Sequence, residues 1–477
     1  MWIGLLFSVL GISSILQQKD RTAPGQFPTG PQEYAPDTFR TATIHCLNAG
    51  DYLQQSRYTL ETMALLFALD HNYNTDASIY NWVLLGVLIR IAMRMGLHRD
   101  PSHWPSIRPL QAEHRRRLWT IMYQMDFLTS TGFGLPRNIN DSQCDTRTPA
   151  HLFEGDLNPE DNELPQERSL NEPTPLLFII QRNHILKVAA EIYDATEAGP
   201  PSPATVALLN AKIQRVIEAT PTWLKYRPLE ASVGENTATL LQQMFYDIFV
   251  HKAVYLLHRR SFVGGSGGEE SARSNEICIN AALAILEHQR RMSEETQCGG
   301  RMATVRWKLS SSLNHEFLQA TMMLCYALSR PDNKNAATNS AKEDTLCRRT
   351  DIVEALTIAR AEWERISDQS VDARRAAKAI AVVLQQDSDT PNARATQPAV
   401  GGDSSHGFEP YMSVDSASWP GLFNQIPAIP EPNYFGTFDY GQDVALDALD
   451  PSVFMVDQDP AAFGNMLDGF AAGHSNM

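Results

Sequence analysis

Apolar residues in this chain recur at three- and four-residue steps, and no convincing series of alternating strands interrupts them. That period places one stripe of each segment on a helix face, so the expected class is all-α. From Glu113 to Thr131, Leu118, Ile121, Met122, Met125 and Leu128 share such a face, and Gly132, Gly134 and Pro136 end the segment,. Ile79 to Leu97 is apolar almost all round, with Gly86, Arg90 and Arg94 as a narrow polar stripe, which predicts a helix set in a core,. Gly96 suits its C-terminus, and Pro101 and Pro105 keep the next stretch extended or turned,. Further helical patterns cover roughly 41–70, 174–197, 204–218, 238–259, 272–296, 307–328 and 345–367. They follow an apolar first helix over Trp2 to Leu16 and a Pro-, Gly- and Thr-rich loop over 20–40. Residues 137–172 are polar, acidic and Pro-punctuated, and read as a long structured loop,.

Two breaks divide the pattern. Gly264, Gly265, Gly267 and Gly268 around Ser266 read as a flexible linker between two helices,. Beyond about Gln385 the helical period stops and disorder is expected,. No Lys or Arg follows Arg394, whereas residues 395–477 carry 11 Asp or Glu, so most of the net charge of −15 belongs to the tail. The preceding part, with 44 acidic and 40 basic residues, is near neutral. Duplex DNA gains much of its affinity for proteins from Lys and Arg that displace counterions, and neither part offers that footprint.

The six cysteines are scattered without a C-x-x-C pair, which suits a reducing compartment better than a disulfide framework or a zinc-ligand run,. The N-terminal apolar run has no basic flank and is too short to span a bilayer, so a core helix is expected there and no membrane partner,.

Motifs narrow the reading further. Met95-Gly96-Leu97-His98-Arg99-Asp100 is followed by Glu113-His114-Arg115-Arg116-Arg117-Leu118-Trp119, and then by Asp126 in the same helix. The turn Gly134-Leu135-Pro136, the run Ile139 to Asp145 with Asp141 inside it, Pro149 and Asp156-Leu157 come next in order. Upstream stands the apolar helix that contains Leu5 to Leu10. Together these segments resemble the fungal-specific transcription factor domain, the regulatory middle region of fungal binuclear-zinc-cluster transcription factors. The resemblance is strong over 1–200 and continues without sharp motifs to about 370. It implies a nuclear regulator of transcription, with genes read by RNA polymerase II. In that family an N-terminal cluster of six closely spaced cysteines binds zinc and reads DNA. Here the domain's opening helix begins at Met1, so zinc and DNA are expected only through that missing cluster or through a partner.

Other chemistries fit these residues poorly. Arg115 to Arg117 open a helix with Glu113 placed for an i, i+4 ion pair, so a salt-bridged face is expected rather than a phosphate contact, the acidic loop supplying partners,. Asp126 lies at the margin of an apolar stripe, where a carboxylate needs a partner such as Arg90 or Arg94,. His98-Arg99-Asp100 spells a kinase tripeptide, but Pro105 stands where the metal-binding Asn should be,. His98, His103 and His114 flank a Pro-interrupted loop and lack the spacing of a metal site,. No nucleophile elbow, zinc-protease helix or dinucleotide fingerprint occurs,. No catalytic, cofactor or metal residue is therefore expected.

In the tail, large aromatics alternate with acids, as an acidic activation region requires; a solubilising tail is the plainer reading. Phe438, Tyr440, Leu446, Leu449 and Phe454 among Asp439, Asp443, Asp447 and Asp450 are the candidate coactivator contacts. The expected plan is a regulatory body over 1–370, its end over 371–386 and a disordered acidic tail over 387–477, with coactivators and a homo- or hetero-dimer partner. The alternatives are a cluster-less adaptor or inhibitor that pairs with an intact regulator, and a helical metabolite-binding protein or enzyme of unfamiliar type.

Overall fold

The computed structural model describes residues 1–21, 35–54, 58–74, 76, 78–197, 199–228, 231–232, 234–264, 269–297, 299–303, 311–330 and 342–388. Among these residues the fold is all-α, with a few single 3-10 turns and no strand. The helices are α1 (Trp2–Arg21), α2 (Pro36–Ala49), α3 (Thr59–Tyr73), α4 (Ile79–Arg94), α5 (Pro109–Phe133) and α6 (Pro175–Glu197). They continue as α7 (Pro203–Ala219), α8 (Thr237–Gly264), α9 (Glu269–Glu295), α10 (Ser311–Ser329), α11 (Lys342–Ile366) and α12 (Val371–Ser388). Gly265 to Gly268 of the expected linker lie outside the described residues. So does the tail from 389 on, with Phe438, Tyr440, Leu446, Leu449 and Phe454.

The N-terminal apolar segment forms a helix that packs on α2 and α3. Its glycines allow the close approach: a Cβ at Gly11 would stand 2.2 Å from Leu69 Cδ1. The opposite face leaves Trp2, Ile3, Leu6, Val9 and Leu10 exposed. No described helix is long and apolar enough to cross a membrane.

Two helices replace the single one expected over 41–70. Asn48-Ala49-Gly50-Asp51 is turn chemistry inside a continuous apolar period, and the turn wins. Asp51 and Tyr58 take positive φ, 46° and 71°, as the chain reverses. The core position expected for Ile79 to Leu97 also holds only for its second half. Leu85, Leu88, Ile89 and Ala92 are buried, whereas Ile79, Tyr80 and Val83 face outward.

α8 lies at the centre, packed on α6, α7 and α9. Contacts His258–Ser274, Tyr255–Cys278 and Asp247–His288 run in opposite chain directions, so α8 and α9 form an antiparallel pair. α10 packs on α9, α11 and α12 and reaches across to α3 and α5. One continuous apolar core joins α2 through α12, with Phe67, Phe127, Tyr193 and Trp363 among its largest side chains. α12 was expected only as the end of the body. Ser370 caps it by accepting from Ala373 N, and Ala373, Ala376 and Ile380 bury its inner face,.

Candidate functional site

The motif residues converge where the loop after α4, the first turns of α5 and the loop after α5 meet. At the end of α4, Gly96 adopts φ +75°, Gly96 N donates to Met93 O and Leu97 N to Ala92 O, a left-handed helix stop,. A Cβ there would lie 3.3 Å from Arg115 Nη2. Leu97 is thereby turned into the core, and the next residues pass beneath α5.

The three arginines of α5 have three different partners. Arg115 is buried and donates Nη2 to Met95 O at 2.8 Å; burial pushes its pKa down to about 10. Arg116 grips Asp100 with two parallel bonds of 2.9 Å,. Arg117 binds Glu113 at 2.9 Å, the i, i+4 pair expected, and also Glu154 of the acidic loop. The helix starts at Pro109, so these cations sit beyond the first turn, where the macrodipole opposes them less,.

Asp100, Asp145 and Glu113 also accept from backbone. Asp100 takes the amides of Ser102 and Arg147, both at 3.0 Å. Burial pushes its pKa up, but the Arg116 guanidinium and these amides outweigh it and hold the carboxyl well below the usual range,. Asp145 accepts from Asp100 N, Arg99 and His103 Nε2, while its own amide donates to His98 O at 3.1 Å. Glu113 accepts from Ala150 N at 3.1 Å. Trp119 is buried with His98 beside it, ring centres 6.3 Å apart. Asp141 accepts from Tyr123 Oη and Arg137, and Arg137 continues to Asp194 of α6. Gly134 caps α5 with φ +64°, and Pro136 leads away from it on the surface.

Asp126 corrects the sequence reading. Arg90 and Arg94 are exposed and do not pair with it. Its oxygens accept instead from Asn138 N (3.1 Å), Asn138 Nδ2 (2.9 Å) and Ile139 N (2.8 Å). Burial raises its pKa, and these three donors only partly offset that,. A turn that leaves two amides without helical partners satisfies a buried carboxylate by hydrogen bonds, with the Arg137 guanidinium acting on it only through its charge,. His98, His103 and His114 are not gathered either: among the described residues no group of three His, Cys, Asp or Glu could hold a metal ion. Cys46, Cys144, Cys278 and Cys325 are free thiols on separate elements, so these residues do not fit a zinc cluster,.

Residues 5–199, which include every segment of this clasp, match the family model described as the fungal specific transcription factor domain. Those residues form a fungal specific transcription factor domain. Over 393 residues it is 35% identical to the Zn(2)-C6 fungal-type transcription factor mpsB of Macrophomina phaseolina, covering 80% of this chain and 52% of that protein. It is 36% identical to the Zn(2)-C6 fungal-type transcription factor pigI of Monascus ruber, covering 80% and 47%. The pyrrolocin cluster transcription factor fsdR of Fungal sp. is 32% identical, with 88% and 54% covered. The chain thus spans about half the length of the curated relatives it matches. No solved structure matches it.

The fungal specific transcription factor domain does not close its own core. Lys252 of α8, fully buried, reaches into it to meet Thr131 Oγ1 of α5 at 3.0 Å and stands 5.3 Å from the Phe127 ring. The same ammonium pairs with Glu316 of α10, which is 1% exposed. Burial lowers the Lys252 pKa and Glu316 counteracts this. Gln319 extends the network by donating to Thr131 O and His315 Nε2 and accepting from Tyr255 Oη. Sequence reasoning missed this cluster. Its one signal is a single charge on the inner face of an otherwise apolar stretch, Lys252 within Phe249 to Leu257 and Glu316 within Leu313 to Leu324.

Proposed function

We propose that this chain is the regulatory part of a fungal transcription factor, with a nuclear site of action and no catalytic role. The observation that carries the reading is the clasp: in a family of transcription factors, the motif side chains are engaged with one another and with loop amides rather than aimed into a reaction cleft. The cavity beside Trp119 and Asp141 agrees with this: at about 30 Å³ it admits water but not a metabolite-sized substrate,.

In this reading Gly96, Leu97, His98, Arg99, Asp100, Glu113, Arg115, Arg116, Arg117, Trp119, Asp126, Gly134, Pro136, Asp141 and Asp145 are structural residues that hold the loop to α5. The body over 1–370 is a regulatory and dimerisation scaffold, and the relatives' zinc-cluster names support DNA contact through such a cluster or through a partner. The pyrrolocin-cluster relative supports a role at a cluster of that kind; in this reading the regulated genes are transcribed by RNA polymerase II. The acidic and aromatic segment 387–477 recruits coactivators through Phe438, Tyr440, Leu446, Leu449 and Phe454,.

A reporter assay tests this. Residues 431–477 tethered to a foreign DNA-binding module should activate transcription, and alanine at those five apolar positions should abolish the signal. A wild-type tail that gives no more signal than the module alone refutes the activation role.

A further inference from the structure

The small cavity beside the Lys252–Glu316 pair lies where four parts of the fold meet: the α3–α4 turn, the start of α4, the end of α5 and α10. Two of its lining groups are hydrogen-bond acceptors without a partner among the described residues. Glu316 gives Oε1 to Lys252, whereas its buried Oε2 has none. Asn81, 4% exposed, has a buried and equally unpartnered Oδ1. Leaving a buried polar atom unsatisfied is costly, more so for a charged one, so two in one cavity call for a donor between them.

The charges say which donor. Lys252 and Glu316 cancel, and the Asp76 carboxylate on the same cavity binds only the Ser370 hydroxyl and Val371 N, with no cation paired to it among the described residues. Beside the hydroxyls of Ser78 and Thr129 and the rings of His71 and His315, the lining therefore offers two unpartnered acceptors and one carboxylate charge in excess. An anion is repelled. A hydroxyl has one hydrogen to give and no charge. A primary ammonium group has three N–H donors and the missing positive charge. Its bulk is close to that of a water molecule, and a cavity of about 40 Å³ has room for it and little more,. Leu128 and Phe133 on the same wall could cover a short alkyl stem.

We propose that this cavity binds a primary ammonium group, free ammonium or the head of a small alkylamine, with Glu316 Oε2 and Asn81 Oδ1 as its acceptors and Asp76 as its countercharge. Because Asp76 also holds the first residues of α12, the bound cation ties the α3–α4 corner and α10 to the C-terminal helix. The site does not depend on the transcriptional role.

Binding is tested on the whole chain by calorimetric titration and thermal unfolding at matched ionic strength with ammonium chloride, n-butylammonium chloride, sodium chloride, sodium butyrate and n-butanol. Saturable binding and a raised Tm are expected with one or both ammonium salts and not with the other three. Binding of ammonium alone assigns the site to the free ion; tighter binding of n-butylammonium assigns it to an amine head. Asn81→Leu should weaken the affinity at least 10-fold with the helical content unchanged, and Glu316→Gln should do the same where it folds. If sodium chloride or n-butanol gives the same shift as the ammonium salts, or if Asn81→Leu binds them as well as the parent chain does, the cavity holds only water and the proposal is wrong.

Discussion

The clasp around α5 and the buried ion pair between α8 and α10 use the same chemical groups in opposite ways. In the clasp, Asp100, Glu113, Asp126 and Asp145 each accept at least one backbone amide, and all but Asp126 also meet a guanidinium. Across α8 and α10, Glu316 meets a single ammonium and leaves one oxygen without a partner among the described residues. A carboxylate tied to several loop amides fixes one conformation, because any displacement strands several donors together. A buried charge held by one partner depends wholly on that partner. The clasp is built to hold a loop still, and the ion pair is where a change of charge or ligand would be felt most.

The largest expected effect separates the two directly. Lys252→Met leaves Glu316 buried without its countercharge and should destabilise the body by about 3–5 kcal/mol in urea unfolding, while Lys252→Met with Glu316→Leu should recover most of that loss. If the single change costs less than about 1 kcal/mol, the pair is not the vulnerable element described here.

A smaller loss is expected at the most deeply buried member of the clasp. Asp126→Asn turns one acceptor oxygen into an amide donor facing Asn138 or Ile139, and should cost about 1–3 kcal/mol,. Arg90→Ala, the partner suggested by sequence spacing, serves as the control and should leave stability within about 0.5 kcal/mol. A loss at Arg90 equal to that at Asp126 would restore the ion-pair reading.

The smallest effect is a matter of pH. The folded-state pKa of Asp100 is depressed, so the stability it contributes is fully present above its unfolded value near ~4 and is lost as pH falls from there through the folded value,. Asp100→Asn should therefore flatten the stability curve below about pH 4 and lower it uniformly above. An acid limb of unchanged slope in the variant would show that other carboxylates govern it.

Much of this protein could be read locally. Apolar spacing located most of the helices, because a helix face is a repeat within one short segment. The Glu113–Arg117 pair followed from i, i+4 geometry, and Gly96 and Gly134 marked helix ends that do take left-handed conformations. The break between α2 and α3 escaped because apolar residues continue on both sides of a short polar turn, whereas the segment of α12 was expected only as the end of the helical body although its apolar residues do fall on one face.

The pairings between distant segments were settled only by the tertiary structure. Sequence identified Asp126 as a carboxylate needing a partner, but the crossing of the post-α5 turn chose two free amides over either arginine of α4. Nothing near Lys252 in sequence announces Glu316, 64 residues away, or Thr131, 121 residues away. Periodicity states which face of a helix is buried. Which donor meets which acceptor depends on where helices cross and which polar groups that crossing leaves unpaired, and that is fixed only when the whole chain has packed.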